Sequence, residues 1–298
     1  MQKFLLLFLF ITSLYSKDTI TWMIWDLPPN FILNGPQKNQ GYQDIRLKMI
    51  QDRLPEYKHE SQVMNVNRAI SIYQKKDDSQ RIYCTNDLIS HPSLDIDDYL
   101  SISAFPFKGH YLVTQKNKSY LFDTQEGQPI VLKDLIQNKK IRLVVSKNRP
   151  YLGAGKVLHE YLDKTPKQTH ITSMSTLNIG ESMFKFVFKD RADYTFEYTF
   201  RASYYAKQLN VLDQLEVFPI KENEGVFHGF SSCVKTKKGK EVIYKVNDII
   251  RELKPTNEWI DPFVQWLPTK QLQNKYLKYY HEVFLKQGDI YDSNPRSK

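Results

Sequence analysis

Two acidic side chains in the 298-residue sequence are spaced so that they could act together on one ligand. Asp193 and Glu197 lie four positions apart in a predicted strand, and residues at even spacing along a strand share a face. If that face borders a cleft, the two carboxylates would bind a cation or an ammonium group. The alternative is a structural salt bridge to Arg191 or Arg201.

A second candidate is the loop from Ser146 to Gly155, which ends a predicted strand and begins a predicted helix. Backbone amides at a helix start, backed by the positive end of the helix dipole, form an anion site. Arg149, Tyr151 and Gly153 lie in this loop and would contribute to that site. The alternative is an ordinary strand–helix connection in which the glycines permit tight packing.

Further candidates lie at or near the carboxyl ends of predicted strands, where open α/β sheets bind their ligands. Trp25 and Phe31 flank a proline pair and could form an aromatic wall, although core packing is the alternative for aromatic residues. The predicted ligand site combines Trp25, Asp26, Phe31, Thr85 and Asn86 on one side with Arg149, Tyr151, Gly153, Asp193 and Glu197 on the other.

The sequence offers little support for catalysis or metal binding. It contains no G-x-S-x-G, H-E-x-x-H or Walker motif, and its seven histidines lack metal-ligand spacing. The two cysteines, Cys84 and Cys233, fit no zinc signature. We therefore expect no metal, no cofactor and no enzymatic activity, although a fold alone does not fix function.

Alternating strand and helix patterns must position these residues. Thr19 to Trp25 has a strand pattern, the segment from Gly41 to Pro55 a helical one, and Arg81 to Cys84 another strand pattern, followed by a polar loop from Asn86 to Asp98. A second strand–helix series follows Phe105, and a helix is predicted from Lys240 to Leu253. Such alternation predicts an α/β fold with mostly parallel sheets covered by helices.

Two such series, joined by two crossings, predict two lobes. We expect residues 17–103 with 226–290 to form lobe one, residues 104–225 to form lobe two, and residues 291–298 to be a flexible tail. We see no internal repeat that would indicate a solenoid.

The first 16 residues have the layout of a secretory signal peptide, with Lys3 followed by an apolar run from Phe4 to Ile11. That run is shorter than the roughly 20 residues that a membrane-spanning helix needs. No cysteine lies near the expected cleavage site, so we expect a soluble periplasmic protein without a lipid anchor. The net charge of +9 is spread over scattered lysines and arginines without a nucleic-acid motif, which argues against a nucleic-acid partner.

Several segments together resemble the family 3 extracellular solute-binding proteins, which have the type II periplasmic binding fold. The matching segments are Trp25-Asp26-Leu27-Pro28-Pro29-Asn30-Phe31, Gly41-Tyr42-Gln43-Asp44, Phe105-Pro106, VLKDLIQNKKIRLVVSKNRPYLGAG and Phe188-Lys189-Asp190-Arg191-Ala192-Asp193. The resemblance implies a fold in which Cys84 and Cys233 lie on neighbouring strands, so we expect a disulfide inside lobe one. Two free buried thiols are the alternative.

The same resemblance implies a monomer that captures a small polar ligand between its lobes for an ABC transporter permease. A sensory protein that reports to a membrane receptor, or a periplasmic dehydratase-like enzyme, are the alternatives. Two departures weaken the case for a free amino acid as ligand. The segment ISHPSLDIDDYLS lacks the family's ligand-binding arginine, and Tyr198 stands where a carboxylate normally holds the ligand amine, with Glu197 one place earlier.

Overall fold

Two α/β lobes, each built around one sheet, make up the computed structural model of the chain. The structure describes residues 17–75, 81–89, 98–122, 128–147, 149, 151–175 and 180–291. The first lobe contains a six-stranded sheet and the second a five-stranded sheet. This confirms the predicted two-lobed α/β architecture. The sheets were expected to be mostly parallel, but both contain parallel and antiparallel pairs, because β11 and β6 run against their neighbours.

The sheet of lobe one has the order β2-β1-β3-β11-β4, and β5 also pairs with β11. Its strands are β1 Thr19–Ile24, β2 Lys58–Val63, β3 Ile82–Ile89, β4 Asp98–Leu100, β5 Phe105–Lys108 and β11 Val226–Val234. Strand β1 is parallel to β2 and β3, whereas β11 is antiparallel to β3, β4 and β5. The helices of this lobe are α1 Tyr42–Asp52, α2 Val66–Gln74, α7 Lys237–Leu253, α8 Asn257–Val264 and α9 Lys270–Tyr279.

The sheet of lobe two has the order β10-β6-β9-β7-β8. Its strands are β6 Tyr111–Gln115, β7 Leu143–Ser146, β8 Ile171–Met174, β9 Tyr194–Glu197 and β10 Leu215–Phe218. Its helices are α3 Leu132–Leu135, α4 Leu152–Lys164, α5 Glu181–Phe188 and α6 Thr199–Gln208. Short 3₁₀ turns cover Lys116–Phe122, Leu212–Gln214, Lys221–Asn223 and Leu285–Gln287, and a π turn covers Tyr280–Phe284.

Strand β1 shows how local sequence determines the core. Trp22 and Ile24 point to one face and join the main core of lobe one, whereas Met23 points to the other face and packs beside Met64. Both faces are buried, as expected for a parallel strand covered by helices on each side. Helix α7 follows the same logic, because its apolar positions at helical spacing, such as Val242 and Val246, are fully buried.

Strand β3 is longer than the sequence predicted. The polar stretch that begins at Asn86 was expected to be a loop, but β3 continues to Ile89. The extension is possible because β11 pairs with it, with Gly229 opposite Ile89 and Phe230 opposite Leu88. Thr85 and Asn86 therefore lie within a strand, and that placement fixes the direction of their side chains.

The predicted disulfide between Cys84 and Cys233 is confirmed. The two cysteines face each other in the register of β3 and β11, with their Cα atoms 4.0 Å apart, and both are buried. The link joins two strands of one lobe across a sequence separation of 149 residues.

The two lobes also share apolar contacts at helix α6. Phe200 belongs to lobe two in sequence but packs in the main core of lobe one, with ring centroids 5.9 Å from Tyr42 and 5.3 Å from Phe263. One turn further along α6, Tyr204 contacts Trp266 with the centroids 5.5 Å apart. These contacts fix the position of the first half of α6 against lobe one.

The predicted signal peptide at residues 1–16 and all but one residue of the predicted tail at 291–298 lie outside the described residues. They stay predictions, as do the residues at which the lobes were divided. Within the described part of the chain, no helix is both long and apolar enough to cross a membrane.

Candidate functional site

A buried polar cluster lies where the carboxyl ends of strands from both lobes meet. Lobe one contributes the end of β3 and the start of α1, and lobe two contributes the ends of β7 and β9 with the start of α6. Strand ends and helix starts converge on such a point in open α/β sheets, which places backbone donors and polar side chains together.

Asp87 is the centre of the cluster on the side of lobe one. Its carboxylate accepts hydrogen bonds from Trp25 Nε1 at 2.9 Å, from Asn30 Nδ2 at 2.9 Å and from Gln43 Nε2 at 3.2 Å. Burial raises the pKa of Asp87, although these three donors and the charge of Arg201 act in the opposite direction. The carboxylate is thus desolvated and fully surrounded by donors.

Asn86 connects this carboxylate network to helix α1. Its Nδ2 donates to the backbone oxygen of Gln43 at 3.1 Å and to the side-chain oxygen of the same residue at 3.3 Å. Thr85 Oγ1 accepts from the backbone nitrogen of Asp87 at 3.3 Å. The Oδ1 atoms of Asn30 and Asn86 are buried and accept no hydrogen bond from the described residues, so this side has acceptor capacity to spare.

Arg149 and Glu197 form the centre of the cluster on the side of lobe two. Arg149 Nη1 donates to Glu197 Oε2 at 2.7 Å, and Nη2 donates to Oε1 at 2.5 Å. Both side chains are buried. Burial alone would raise the pKa of Glu197, but the charges of Arg149 and Arg201 lower it to about 2. The pair is therefore ionised over the physiological pH range.

Aromatic rings hold this ion pair in place. The guanidinium of Arg149 lies 5.3 Å from the ring centroid of Tyr151 and 5.8 Å from that of Tyr198. The hydroxyl of Tyr151 accepts a hydrogen bond from Ser146 N at 2.8 Å, which fixes its ring beneath the arginine. Beyond Tyr198 lies the ring of His110, stacked at 4.1 Å. Burial, together with the charge of Arg149, lowers the pKa of His110 well below its usual value, so its imidazole is neutral.

Arg201 links the two halves of the cluster. Its Nη2 donates to the hydroxyl of Tyr205 at 2.6 Å, and its Nη1 lies 3.8 Å from Glu197 Oε1. Its positive charge also lowers the pKa of Asp87, which belongs to lobe one. Arg201 is thus close to Glu197, acts on the Asp87 carboxylate through its charge, and is buried with both.

Six of the ten residues predicted for the site meet in this cluster. Trp25, Thr85, Asn86, Arg149, Tyr151 and Glu197 all belong to it, by the contacts described above. Asp26 follows Trp25 but is exposed, and it borders a smaller cavity beside Glu181 and Tyr204. Phe31 is fully buried in the core of lobe one.

The structure does not bring Asp193 to the cluster. Asp193 precedes β9, whereas Glu197 ends that strand, so about 13 Å of extended chain separates them. Its carboxylate pairs with Lys118 Nζ at 2.8 Å and Arg142 Nη2 at 2.9 Å, and accepts from Arg142 N at 2.8 Å. These partners lower the pKa of Asp193 to about 2 despite its partial burial. A salt bridge holds Asp193, as the alternative interpretation expected, but with partners other than Arg191 or Arg201.

Gly153 also lies away from the cluster, in the first turn of α4. A Cβ atom placed on it would be 1.8 Å from the backbone oxygen of Glu222. The glycine therefore allows the helix to approach the turn at Lys221–Asn223 closely, which supports the packing interpretation.

Sequence reasoning missed several members of the cluster: Asn30, Gln43, Asp87, His110, Arg201 and Tyr205. Asp87 directly follows Asn86, which was a predicted site residue. It was not selected because the segment from Asn86 to Asp98 was predicted to be a loop. Gln43 belongs to the segment Gly41-Tyr42-Gln43-Asp44, one of those that resemble the solute-binding family. Asp44 of that segment has a structural role, because its Oδ2 accepts from Gly41 N at 3.0 Å and Ile32 N at 2.9 Å.

Comparison with solved structures identifies the architecture. The probable amino-acid ABC transporter extracellular-binding protein of Bacillus subtilis superimposes with a TM-score of 0.61 at 13% identity, over 85% of this chain and 99% of that chain. The chain has the type II periplasmic-binding-protein fold. This confirms the fold that the sequence resemblance implied.

Proteins with other functions share the type II fold. A histidine kinase sensor domain superimposes with a TM-score of 0.56 at 11% identity, over 84% of this chain and 96% of that chain. An ancestral amino-acid-binding protein, a precursor of cyclohexadienyl dehydratase, superimposes with a TM-score of 0.56 at 14% identity, over 84% of this chain and 95% of that chain.

No protein-family model and no curated protein matches the sequence significantly. Within the described residues, no group of three or more His, Cys, Asp or Glu side chains could hold a metal ion.

Proposed function

We propose that this chain is a periplasmic solute-binding protein that captures a small polar ligand between its lobes and delivers it to an ABC transporter permease. The observation that carries the proposal is the position of Arg201, a buried cation of lobe two. It lies 3.8 Å from Glu197 of its own lobe, and its charge lowers the pKa of Asp87 of the other lobe. A polar ligand inserted here would contact both lobes. Contacts with both lobes are what shift an open–closed equilibrium towards the closed form.

The chemistry of the cluster favours a ligand that carries both an anionic and a donor group. Arg201 and Arg149 are the cations of the cluster that an anionic group would meet, and both also interact with Glu197. The spare acceptors of Asn30 and Asn86 suit a ligand donor such as an ammonium group. A small zwitterionic, amino-acid-like molecule meets both requirements. The solved structures described as amino-acid-binding proteins support the same class of ligand.

The hinge of the proposed motion consists of β5 and β11, which run side by side where the chain passes between the lobes. A transporter permease would recognise the closed form. We also propose that the protein acts as a monomer in the periplasm after removal of residues 1–16.

Native mass spectrometry of the protein purified from its host tests the proposal directly. We expect a co-purified small molecule, released intact by mild denaturation and rebinding with micromolar or tighter affinity in calorimetry. Arg201→Gln should weaken rebinding at least tenfold, because a charge-assisted hydrogen bond contributes about 1.5 to 3 kcal/mol. Lys156→Gln, an exposed change on α4, is the matched control.

Two results would overturn the proposal. Recovery of the ligand in a chemically changed form would show an enzyme instead of a binding protein. Unchanged affinity in Arg201→Gln, with the variant still folded by circular dichroism, would show that the ligand does not bind at this cluster.

A further inference from the structure

A second cavity lies between the lobes, next to the crossing strands. Its volume is about 460 Å³, within the range of roughly 300 to 1,000 Å³ typical of small-molecule sites. Lobe one supplies Phe263 and Leu272 from helices α8 and α9, and lobe two supplies Ile220 from the segment after β10. The walls are mainly apolar and aromatic, so the cavity differs in chemistry from the polar cluster.

An aromatic partition separates this cavity from the polar cluster. Phe107 and Phe200 line the cavity, and Tyr198 stands behind them, with ring centroids 5.8 Å from Phe107 and 5.3 Å from Phe200. The far side of Tyr198 stacks on His110 of the polar cluster. The two sites are therefore neighbours that share a wall, and a molecule in one does not occupy the other.

Two lysines from different elements border the apolar cavity. Lys108 ends the crossing strand β5, and Lys275 lies on α9. Lys108 Nζ donates to the backbone oxygen of Glu224 at 2.9 Å. Burial and the nearby charge of Lys275 lower the pKa of Lys108, although the charge of Glu224 acts in the opposite direction. Glu224 is the acidic residue of the lining, so two cations and one carboxylate leave a net charge of +1.

An apolar pocket with a net positive charge in its lining suits one kind of occupant. The apolar walls favour a hydrocarbon body, and an anionic head placed between the lysines would relieve the repulsion between them. A neutral head would gain less from that position, and a cationic head would be repelled. We propose that this cavity is a second ligand site, which binds a small carboxylate with an aromatic or branched apolar body.

Calorimetry on the full chain with 3-phenylpropionate as the probe tests this site. We expect saturable binding to the wild type, and about tenfold weaker binding of the uncharged 3-phenylpropanamide. Lys108→Gln combined with Lys275→Gln should weaken binding of the carboxylate about tenfold or more, equivalent to about 1.4 kcal/mol. Lys278→Gln, an exposed change on the same helix outside the cavity, is the matched control. Leu272→Trp should also weaken binding by filling the cavity.

The design distinguishes this site from the polar cluster. Arg201→Gln should leave 3-phenylpropionate binding unchanged within about twofold, because Arg201 lies beyond the aromatic partition. Three results would overturn the proposal: no saturation at millimolar probe, equal binding of the amide, or loss of binding in Arg201→Gln with retention in the double lysine variant. None of these outcomes depends on the identity of the ligand at the polar cluster.

Discussion

Arg149 and Glu197 bind each other through two parallel hydrogen bonds, with donor–acceptor distances of 2.7 and 2.5 Å, while both side chains are buried. The loop after β7 and the end of β9 are thereby joined by one ion pair. Because both charges are largely removed from water, each depends on the other to compensate its lost hydration. The pair therefore contributes to stability as well as to the chemistry of the cluster.

Removing one member of this pair should be costly. We expect Arg149→Ala or Glu197→Gln to reduce the free energy of unfolding by about 3 to 5 kcal/mol, because a buried charge is left without its partner. The double variant Arg149→Met with Glu197→Leu should lose less, and the loss that remains reflects Arg201, which no longer faces the Glu197 carboxylate. Urea unfolding measures all three. Asp52→Asn, which breaks an exposed pair with Lys48, should cost less than about 1 kcal/mol. Equal losses in the single and double variants would contradict this account.

Acid should weaken the fold through the same carboxylates. The pKa of Glu197 falls from the ordinary value of 4.5 to about 2, and that of Asp193 from 3.8 to about 2. A carboxylate with a depressed folded pKa stabilises the protein above its unfolded pKa, and that contribution is lost as the pH falls towards the folded pKa. We expect the urea midpoint to be level from about pH 7 to pH 5 and to drop between about pH 4.5 and pH 2. In the Arg149→Met, Glu197→Leu variant the drop should be smaller, and an unchanged drop would show that other groups cause it.

Asp193 and Glu197 should differ when ligand binding is measured. Because Asp193 is engaged by Lys118 and Arg142, Asp193→Asn should reduce stability by about 1 to 3 kcal/mol. Its affinity for the co-purified ligand should stay within about twofold of wild type, in contrast to Glu197→Gln. Calorimetry and urea unfolding on the same preparations separate the two effects. A tenfold loss of affinity in Asp193→Asn would contradict this prediction and show that Asp193 takes part in ligand binding.

Two glycines of helix α4 form a matched pair for mutation. A Cβ at Gly153 would lie 1.8 Å from the backbone oxygen of Glu222, whereas a Cβ at Gly155 would be 3.6 Å from Tyr151 Cβ, an ordinary contact. Gly155→Ala should therefore stabilise the helix by up to about 1 kcal/mol. Gly153→Ala should destabilise the protein by about 1 to 3 kcal/mol, as overpacking does. Thermal unfolding of the two variants checks the difference in sign.

Removing the disulfide should lower stability without changing the fold. The Cys84–Cys233 link closes a loop of 149 residues, and such links typically add about 2 to 5 kcal/mol by restricting the unfolded chain. We expect Cys84→Ser with Cys233→Ser to unfold at lower urea concentration, with an unchanged circular dichroism spectrum. Reductant should lower the wild-type midpoint and leave that of the double variant unchanged. A response of the double variant to reductant would mean that the effect does not come from this bond.

The parts of the fold that depend on local patterns could be predicted from the sequence. Strand β1 and helix α7 were expected because apolar residues recur in them at the spacing of a strand and of a helix. That spacing can be read within a single segment of the sequence. The disulfide required the resemblance to a known fold, because pairing of Cys84 with Cys233 depends on a neighbour 149 residues away.

The residues that sequence reasoning missed depend on distant partners. Asp87 receives hydrogen bonds from Trp25 and Asn30, which are 62 and 57 residues away. Asp193 was paired in prediction with arginines close to it in sequence, but its partners Arg142 and Lys118 lie 51 and 75 residues away. A strand that contains Asn and Asp is also disfavoured by propensity, and only the pairing with β11 makes that extension of β3 stable.

The position of β11 has a consequence for the order in which the chain can fold as it is made. Strand β11 lies inside the first sheet, between β3 and β4, yet among the strands of the described residues it is the last to be synthesised. Chains fold domain by domain as they emerge. The five-stranded sheet of lobe two can therefore assemble first. Until β11 is made, the earlier strands β3, β4 and β5 lack the neighbour with which each of them pairs. During that interval Cys84 has no partner and β3 is unpaired on one side. The interval ends when Val226–Val234 has been synthesised and pairs with β3. Lobe one therefore begins with the first strands of the chain but is completed only after lobe two has been made.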